Sequence, residues 1–142
     1  GDNTPSFQVK KTGNQSLSNT SFTKVTWDAE DWDTDSAFAS DKFTVPSGEG
    51  GKYYFQATTE VGSVAAGEYI QLIIYVGGGS QPGSTSRWYG AGGGVDVRAR
   101  TNMIINLSAS DYVEVYAYQN TGSSINLSSG ESFFRGFKLI GV

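Results

Sequence analysis

The chain has 142 residues, a net charge of −4, no cysteine and no histidine. That length suits one domain with a sizeable core, and the missing residue types exclude disulfides, thiolate nucleophiles, imidazole bases and the common zinc and copper sites. The acidic balance speaks against nucleic-acid binding, which needs a dense cationic footprint, and no apolar run reaches the length of a membrane span, so membrane insertion is not expected.

Residues 1–5 read as a flexible lead-in or a remnant of cloning, and residues 6–142 as a single domain. Period-two alternation recurs along the chain, whereas helical periodicity does not. Strands are predicted at Ser6–Lys10, Phe22–Trp27, Tyr53–Val61, Tyr69–Val76, Val95–Leu107, Asp111–Gln119 and Phe133–Ile140. In the stretch from Val95, the residues Val95, Val97, Ala99, Thr101, Met103, Ile105 and Leu107 form an apolar face. Asp96, Arg98, Arg100, Asn102 and Asn106 form the other, interrupted only by Ile104. Gly77–Gly83, Gly90–Gly94 and Thr121–Ser124 carry turn chemistry. Short strands joined by glycine-rich turns argue an all-β sandwich or jelly roll of two antiparallel sheets.

Two strands have informative second faces. Ile70, Leu72, Ile74 and Val76 oppose Tyr69, Gln71, Ile73 and Tyr75, and Val113, Val115 and Ala117 oppose Tyr112, Glu114, Tyr116 and Tyr118. Tyrosine combines a large apolar ring with one polar handle and suits surfaces buried on association. Tyr69, Tyr75, Tyr112, Tyr116 and Tyr118 are therefore the candidate subunit interface, against the plainer reading that they cover a solvated sheet.

The densest carboxylate cluster is Asp28-Ala29-Glu30-Asp31-Trp32-Asp33-Thr34-Asp35, read as an acidic loop. Asp31, Asp33 and Asp35 alternate as calcium ligands do, which makes calcium the one cofactor the sequence suggests. An EF-hand is excluded, because Ser36 stands where glycine is required and Lys42 where the bidentate glutamate belongs. Neighbouring acids on one loop do not supply the separated carboxyl pair of a glycosidase, so no catalytic residue is assigned and the chain is read as a non-enzyme. Trp27 ends a strand and is assigned to the core. Trp32 and the triplet Arg87-Trp88-Tyr89 are the candidate receptor or glycan contacts, since Arg, Trp and Tyr dominate binding hot spots. The alternative is that each tryptophan pins its own loop. Arg87, Arg98, Arg100 and Arg135 are spread along the chain and read as scattered surface charges.

Phe43-Thr44-Val45-Pro46 is followed by a glycine-rich turn and Gly51-Lys52-Tyr53-Tyr54-Phe55. Later come Leu107-Ser108-Ala109-Ser110-Asp111-Tyr112-Val113-Glu114-Val115 and Phe134-Arg135-Gly136-Phe137-Lys138-Leu139. These runs, in this order, resemble the globular head family of complement component one-q, which shares its jelly roll with the tumour-necrosis-factor superfamily. Phe43, Tyr53, Phe55, Phe137 and Leu139 are assigned to the core. Ser110 departs from the family's usual glycine, the turn after Pro46 is longer than usual, and the animal members' cysteines and collagen stalk are absent.

The lead from Asn14 to Thr20, then Thr23-Lys24-Val25 and the aspartate-rich stretch, is similar to phage and bacterial members. The resemblance implies a compact homotrimer, non-catalytic, at a virion or extracellular surface. It would serve as the head of a phage tail fibre, virion appendage or bacterial surface protein, for trimerisation and recognition of a host-surface glycan or protein. A monomeric calcium-stabilised carbohydrate-binding module and a purely structural fibre cap stay open beside it.

Overall fold

The computed structural model describes residues 2–141, and within them every element but one 3-10 turn, Pro82–Ser84, is a strand. In chain order these are β1 (Ser6–Lys10), β2 (Gln15–Leu17), β3 (Thr23–Lys24), β4 (Ala29–Asp33), β5 (Phe38–Ala39), β6 (Lys42–Thr44) and β7 (Gly51–Val61). There follow β8 (Tyr69–Val76), β9 (Gly79–Ser80), β10 (Ser86–Tyr89), β11 (Val97–Leu107), β12 (Tyr112–Gln119), β13 (Ile125–Leu127) and β14 (Phe133–Lys138). The first sheet runs β2-β13-β7-β14-β1-β4, with β11 on the other side of β7. The second runs β10-β8-β12-β6-β5, with β3 on β12 and β9 on β8. All strand pairs are antiparallel. The fold is a jelly-roll sandwich in which the first strand of the chain pairs with the last, β1 with β14.

Alternation explains the core. Tyr53, Phe55 and Ala57 of β7, Ile70, Leu72 and Ile74 of β8, and Val113, Val115 and Ala117 of β12 all turn inward and are fully buried. Phe7 of β1 bridges the layers. Its ring lies 4.9 Å from Phe43 and 5.1 Å from Phe38 of the second sheet, and meets Phe134 of the first edge-on at 5.0 Å. Each such ring contributes about 1.5–3 kcal/mol through removal from water. Tyr53 satisfies its hydroxyl by donating to the Glu49 carbonyl at 2.6 Å, which closes the turn after Pro46. Gly48 supplies the left-handed residue of that turn (φ 81°), and Lys138 pairs with the Glu49 carboxylate at 2.9 Å.

Several expectations need revision. The acidic stretch is not a loop, because Ala29–Asp33 within it forms the edge strand β4. Of Phe22–Trp27 only Thr23–Lys24 forms ladder, and β14 stops at Lys138. Val95 is exposed and precedes β11. Phe137 and Leu139 are not core residues: Phe134 and Gly136 face inward, so period two sends Phe137 outward, and Leu139 lies half-buried past the strand. Trp27, Phe43, Tyr53 and Phe55 are buried as expected.

Ser110 occupies the left-handed region (φ 72°), where a side chain is strained and glycine is not. Ser110→Gly is expected to stabilise the fold by about 0.5–1 kcal/mol, read as a rise of a few degrees in thermal midpoint. Burial, and then the Glu49 and Asp35 carboxylates, push the Tyr53 phenol up to about 12. A folded-state pKa above the unfolded one gives stability that is complete below the unfolded value, about 10, and is lost as pH rises towards 12. Urea midpoints of the wild type should therefore fall across that window, whereas Tyr53→Phe, lower at neutral pH for want of its hydrogen bond, should show a shallower fall.

Candidate functional site

The outer face of the second sheet gathers all five tyrosines expected at an interface. Across its ladder Tyr89 faces Tyr69, Arg87 faces Gln71, Gln71 faces Tyr118, Ile73 faces Tyr116, and Tyr75 faces Glu114. The rings touch one another: Tyr75 and Tyr116 at 3.8 Å, Tyr69 and Tyr89 at 5.3 Å, Tyr69 and Tyr118 stacked at 6.0 Å, and Phe22 on Tyr118 at 4.9 Å. Lys42 sits over the Tyr112 ring. Lys24 bonds the buried Glu114 at 3.1 Å, and that hydrogen bond, outweighing desolvation, holds the ammonium pKa above its ordinary value.

Strand alternation divides the triplet Arg87-Trp88-Tyr89. Arg87 and Tyr89 join the tyrosine face: the guanidinium lies 5.0 Å from the Tyr69 ring, and its Nε donates to Gln71 at 2.7 Å. Trp88 turns the other way and donates its indole N–H to Ser86 Oγ (2.8 Å) and the Arg100 carbonyl (3.0 Å), which pins β10 to β11. The expected interface and the expected contact triplet therefore overlap at Tyr69. A face buried between subunits cannot also be open to a ligand.

The outer face of the first sheet is built in rungs. Ile104, Tyr54 and Phe137 stand side by side on β11, β7 and β14; Tyr54 and Phe137 are 5.5 Å apart, and Ile104 is 61% exposed. The next rung is Asn102, Gln56, Arg135, Gln8 and Trp32, with Arg135 donating to Gln56 at 2.8 Å and lying over Phe133. Three arginines that are scattered in sequence, Arg98, Arg100 and Arg135, line one depression with Thr58 and Phe133. Arg98 pairs there with Glu60 (2.6 Å) and Glu131 (3.3 Å). Trp32 stands on the outermost strand of this sheet, far across the ladder from β11, and does not meet Trp88.

Asp31, Asp33 and Asp35 do not converge. A bulge between Gln8 and Val9 splits them. Asp31 takes the Lys10 ammonium and the Gln8 amide, Asp33 accepts from the Phe38 N–H at 2.8 Å, and Asp35 accepts from the Thr34 hydroxyl at 2.6 Å. Among the described residues no cluster of three such side chains is placed to hold a metal ion. Asp31 is held below the usual carboxylate range by Lys10 and then Gln8. Asp28 is also lowered, its desolvation being outweighed by hydrogen bonds from Thr12 and Gly13. Both are the opposite of a general acid's raised carboxyl.

Sequence reading missed Tyr54, Phe137 and Phe22 as surface groups. The signal for the first two was Ile104, the lone apolar residue interrupting a polar face. The Lys24–Glu114 pair gives a direct check. In Glu114→Gln the Lys24 ammonium should titrate back near its ordinary value, followed by NMR of the lysine side chain, and the stability change should stay within about 1 kcal/mol because Lys24 is partly solvated.

No protein-family model matches the chain, and no curated protein matches it in sequence. Among the described residues no helix is long and apolar enough to cross a membrane. Solved structures do match over nearly the whole chain. The globular domain of zebrafish complement 1qA protein aligns with TM-score 0.68 and 18% identity over 95% of this chain and 97% of that one. Murine APRIL at pH 5.0 gives 0.67 and 13% over 94% and 98%, and the Eiger TNF of S. frugiperda 0.63 and 12% over 96% and 93%. At such identities the likeness is one of architecture: this chain has the jelly-roll fold of the complement 1q globular domain and of TNF-type proteins.

Proposed function

We propose that this chain is a non-catalytic head domain that associates as a homotrimer and recognises a partner at a virion or extracellular surface, as the tip of a phage tail fibre, virion appendage or bacterial surface protein. The observation that carries the reading is the exposed Ile104 set beside the half-buried rings of Tyr54 and Phe137 on the outer face of the first sheet. An isoleucine left 61% exposed beside two aromatic rings gains about 1–2 kcal/mol when fully covered. The shared fold with complement 1q and TNF-type heads supports the three-fold stoichiometry. Three copies then present three identical recognition faces, so weak single contacts combine into avidity.

A second reading puts the association on the tyrosine face, through Tyr69, Tyr75, Tyr112, Tyr116 and Tyr118, which holds more aromatic surface. Light scattering after size exclusion separates the two. The wild type should run at three times 15.2 kDa, with or without a calcium chelator. Ile104→Glu should give monomer, and Tyr116→Glu should leave the trimer intact. The reverse pattern moves the interface to the tyrosine face, and a wild-type monomer at high concentration removes the head-domain reading.

A further inference from the structure

The two ends of the tyrosine face differ. At one end Tyr75 and Tyr116 cover each other, and the Lys24–Glu114 pair is internally neutralised. At the other, Tyr89 is 58% and Phe22 50% exposed, both resting on the Tyr69–Tyr118 stack. Apolar ring surface is left in water there, on Tyr69, Tyr89 and Tyr118 of three adjacent strands and on Phe22 just before β3. Arg87 belongs to this end, anchored by Gln71 through Nε and laid over Tyr69. Among the described residues Lys10, Lys24, Arg98 and Lys138 pair with carboxylates, whereas Arg87, like Lys11, Lys42, Lys52, Arg100 and Arg135, does not. Of those cations Arg87 is the one at this end of the tyrosine face, and its terminal nitrogens take no protein acceptor there.

We infer that this end of the face, with Tyr69, Tyr89, Tyr118 and Phe22 as floor and Arg87 as anchor, binds an acidic saccharide. The C–H face of a pyranose ring carries partial positive charge and settles on the negative face of an aromatic ring. A carboxylate or sulfate on the sugar meets the planar donor fork of a guanidinium already oriented by Gln71. Charge complementarity selects this ligand: one uncompensated cation beside an aromatic floor matches one anionic group per ring. A nucleic acid, whose bases would also stack, needs a track of cations along its phosphates, and this chain carries a net −4. The inference rests on the reading that leaves this face open in the trimer.

Titration of the intact chain with tetragalacturonate, a heparin-derived tetrasaccharide, neutral cellotetraose and a polyglutamate peptide tests it, by calorimetry and by NMR shifts of the tyrosine rings. At least one acidic oligosaccharide should saturate, shifting the Tyr69 and Tyr89 signals, with cellotetraose and polyglutamate bound at least roughly ten-fold more weakly. Which of the two acidic oligomers binds tells carboxylate from sulfate. Arg87→Gln and Tyr89→Ala, both at exposed positions, should each weaken binding by roughly ten-fold or more, while Arg135→Gln on the opposite sheet should not. The inference is overturned if neither acidic oligomer saturates, if Arg87→Gln binds as well as wild type, or if polyglutamate binds equally well. Mass measured on the same samples keeps the two ideas apart: a trimer without saccharide binding sinks the site alone, and a monomer that binds through Arg87 sinks the head-domain reading alone.

Discussion

Phe7 is the contact on which the two layers depend. It stands on the first strand of the first sheet, yet its ring packs against Phe38 and Phe43 of the second and Phe134 of its own. Because β1 pairs with β14 at the far end of the chain, this one side chain links the N-terminal strand, the C-terminal strand and the short β5–β6 hairpin. Its ring can enter the core only if β1 keeps its phase, and that phase also decides what faces out. Gln8 is then presented to Arg135 and Trp32, on the rung that borders the exposed apolar one. Core packing and surface chemistry are thus two sides of a single register.

That register also gives the two sheets different outer faces. The outer face of the second holds Tyr69 in contact with Tyr89, Tyr118 and Arg87, so any role given to one of these residues is shared by the rest. The outer face of the first holds Ile104 beside Tyr54 and Phe137, flanked by the polar rung of Asn102, Gln56 and Arg135. On the proposed reading, in which the chain both associates and recognises a partner, the two outer faces are available for the two tasks. Ile104 suits permanent burial, since its aliphatic carbon gains from leaving water and loses nothing polar. The tyrosine–arginine end suits a reversible ligand, since its hydroxyls and guanidinium remain hydrated until one arrives.

Much of this was legible in the chain. Alternation placed β7, β8, β11 and β12 to within a few residues, because long half-buried strands write their faces directly into the sequence. The short strands were not legible: two or three residues of ladder carry no period, and β3, β5 and β9 exist only because a longer strand lies beside them. The acidic stretch misled for a different reason. A bulge in the β1–β4 pairing separates Asp31 from Asp33, and a bulge is a property of two strands that neither shows alone. Likewise Arg98, Arg100 and Arg135 become neighbours only through the β11–β7–β14 ladder, and Trp88 parts from Arg87 and Tyr89 because alternation applies to edge strands too.

The closing motif shows how tightly these levels are joined. A Cβ on Gly136 would lie 2.5 Å from the Phe55 ring, so the glycine is set by the aromatic core beneath it, a requirement of space rather than of backbone conformation. With Gly136 turned inward under Phe55, Arg135 and Phe137 on either side must both turn outward. One becomes part of the arginine depression and the other lies half-buried beside Tyr54 and the exposed Ile104. The residue spacing that identifies the fold is therefore the same spacing that builds its outer surface. The pattern Phe134-Arg135-Gly136-Phe137 specifies a packed ring, a surface cation, a vacancy for Phe55 and a surface aromatic in four consecutive positions.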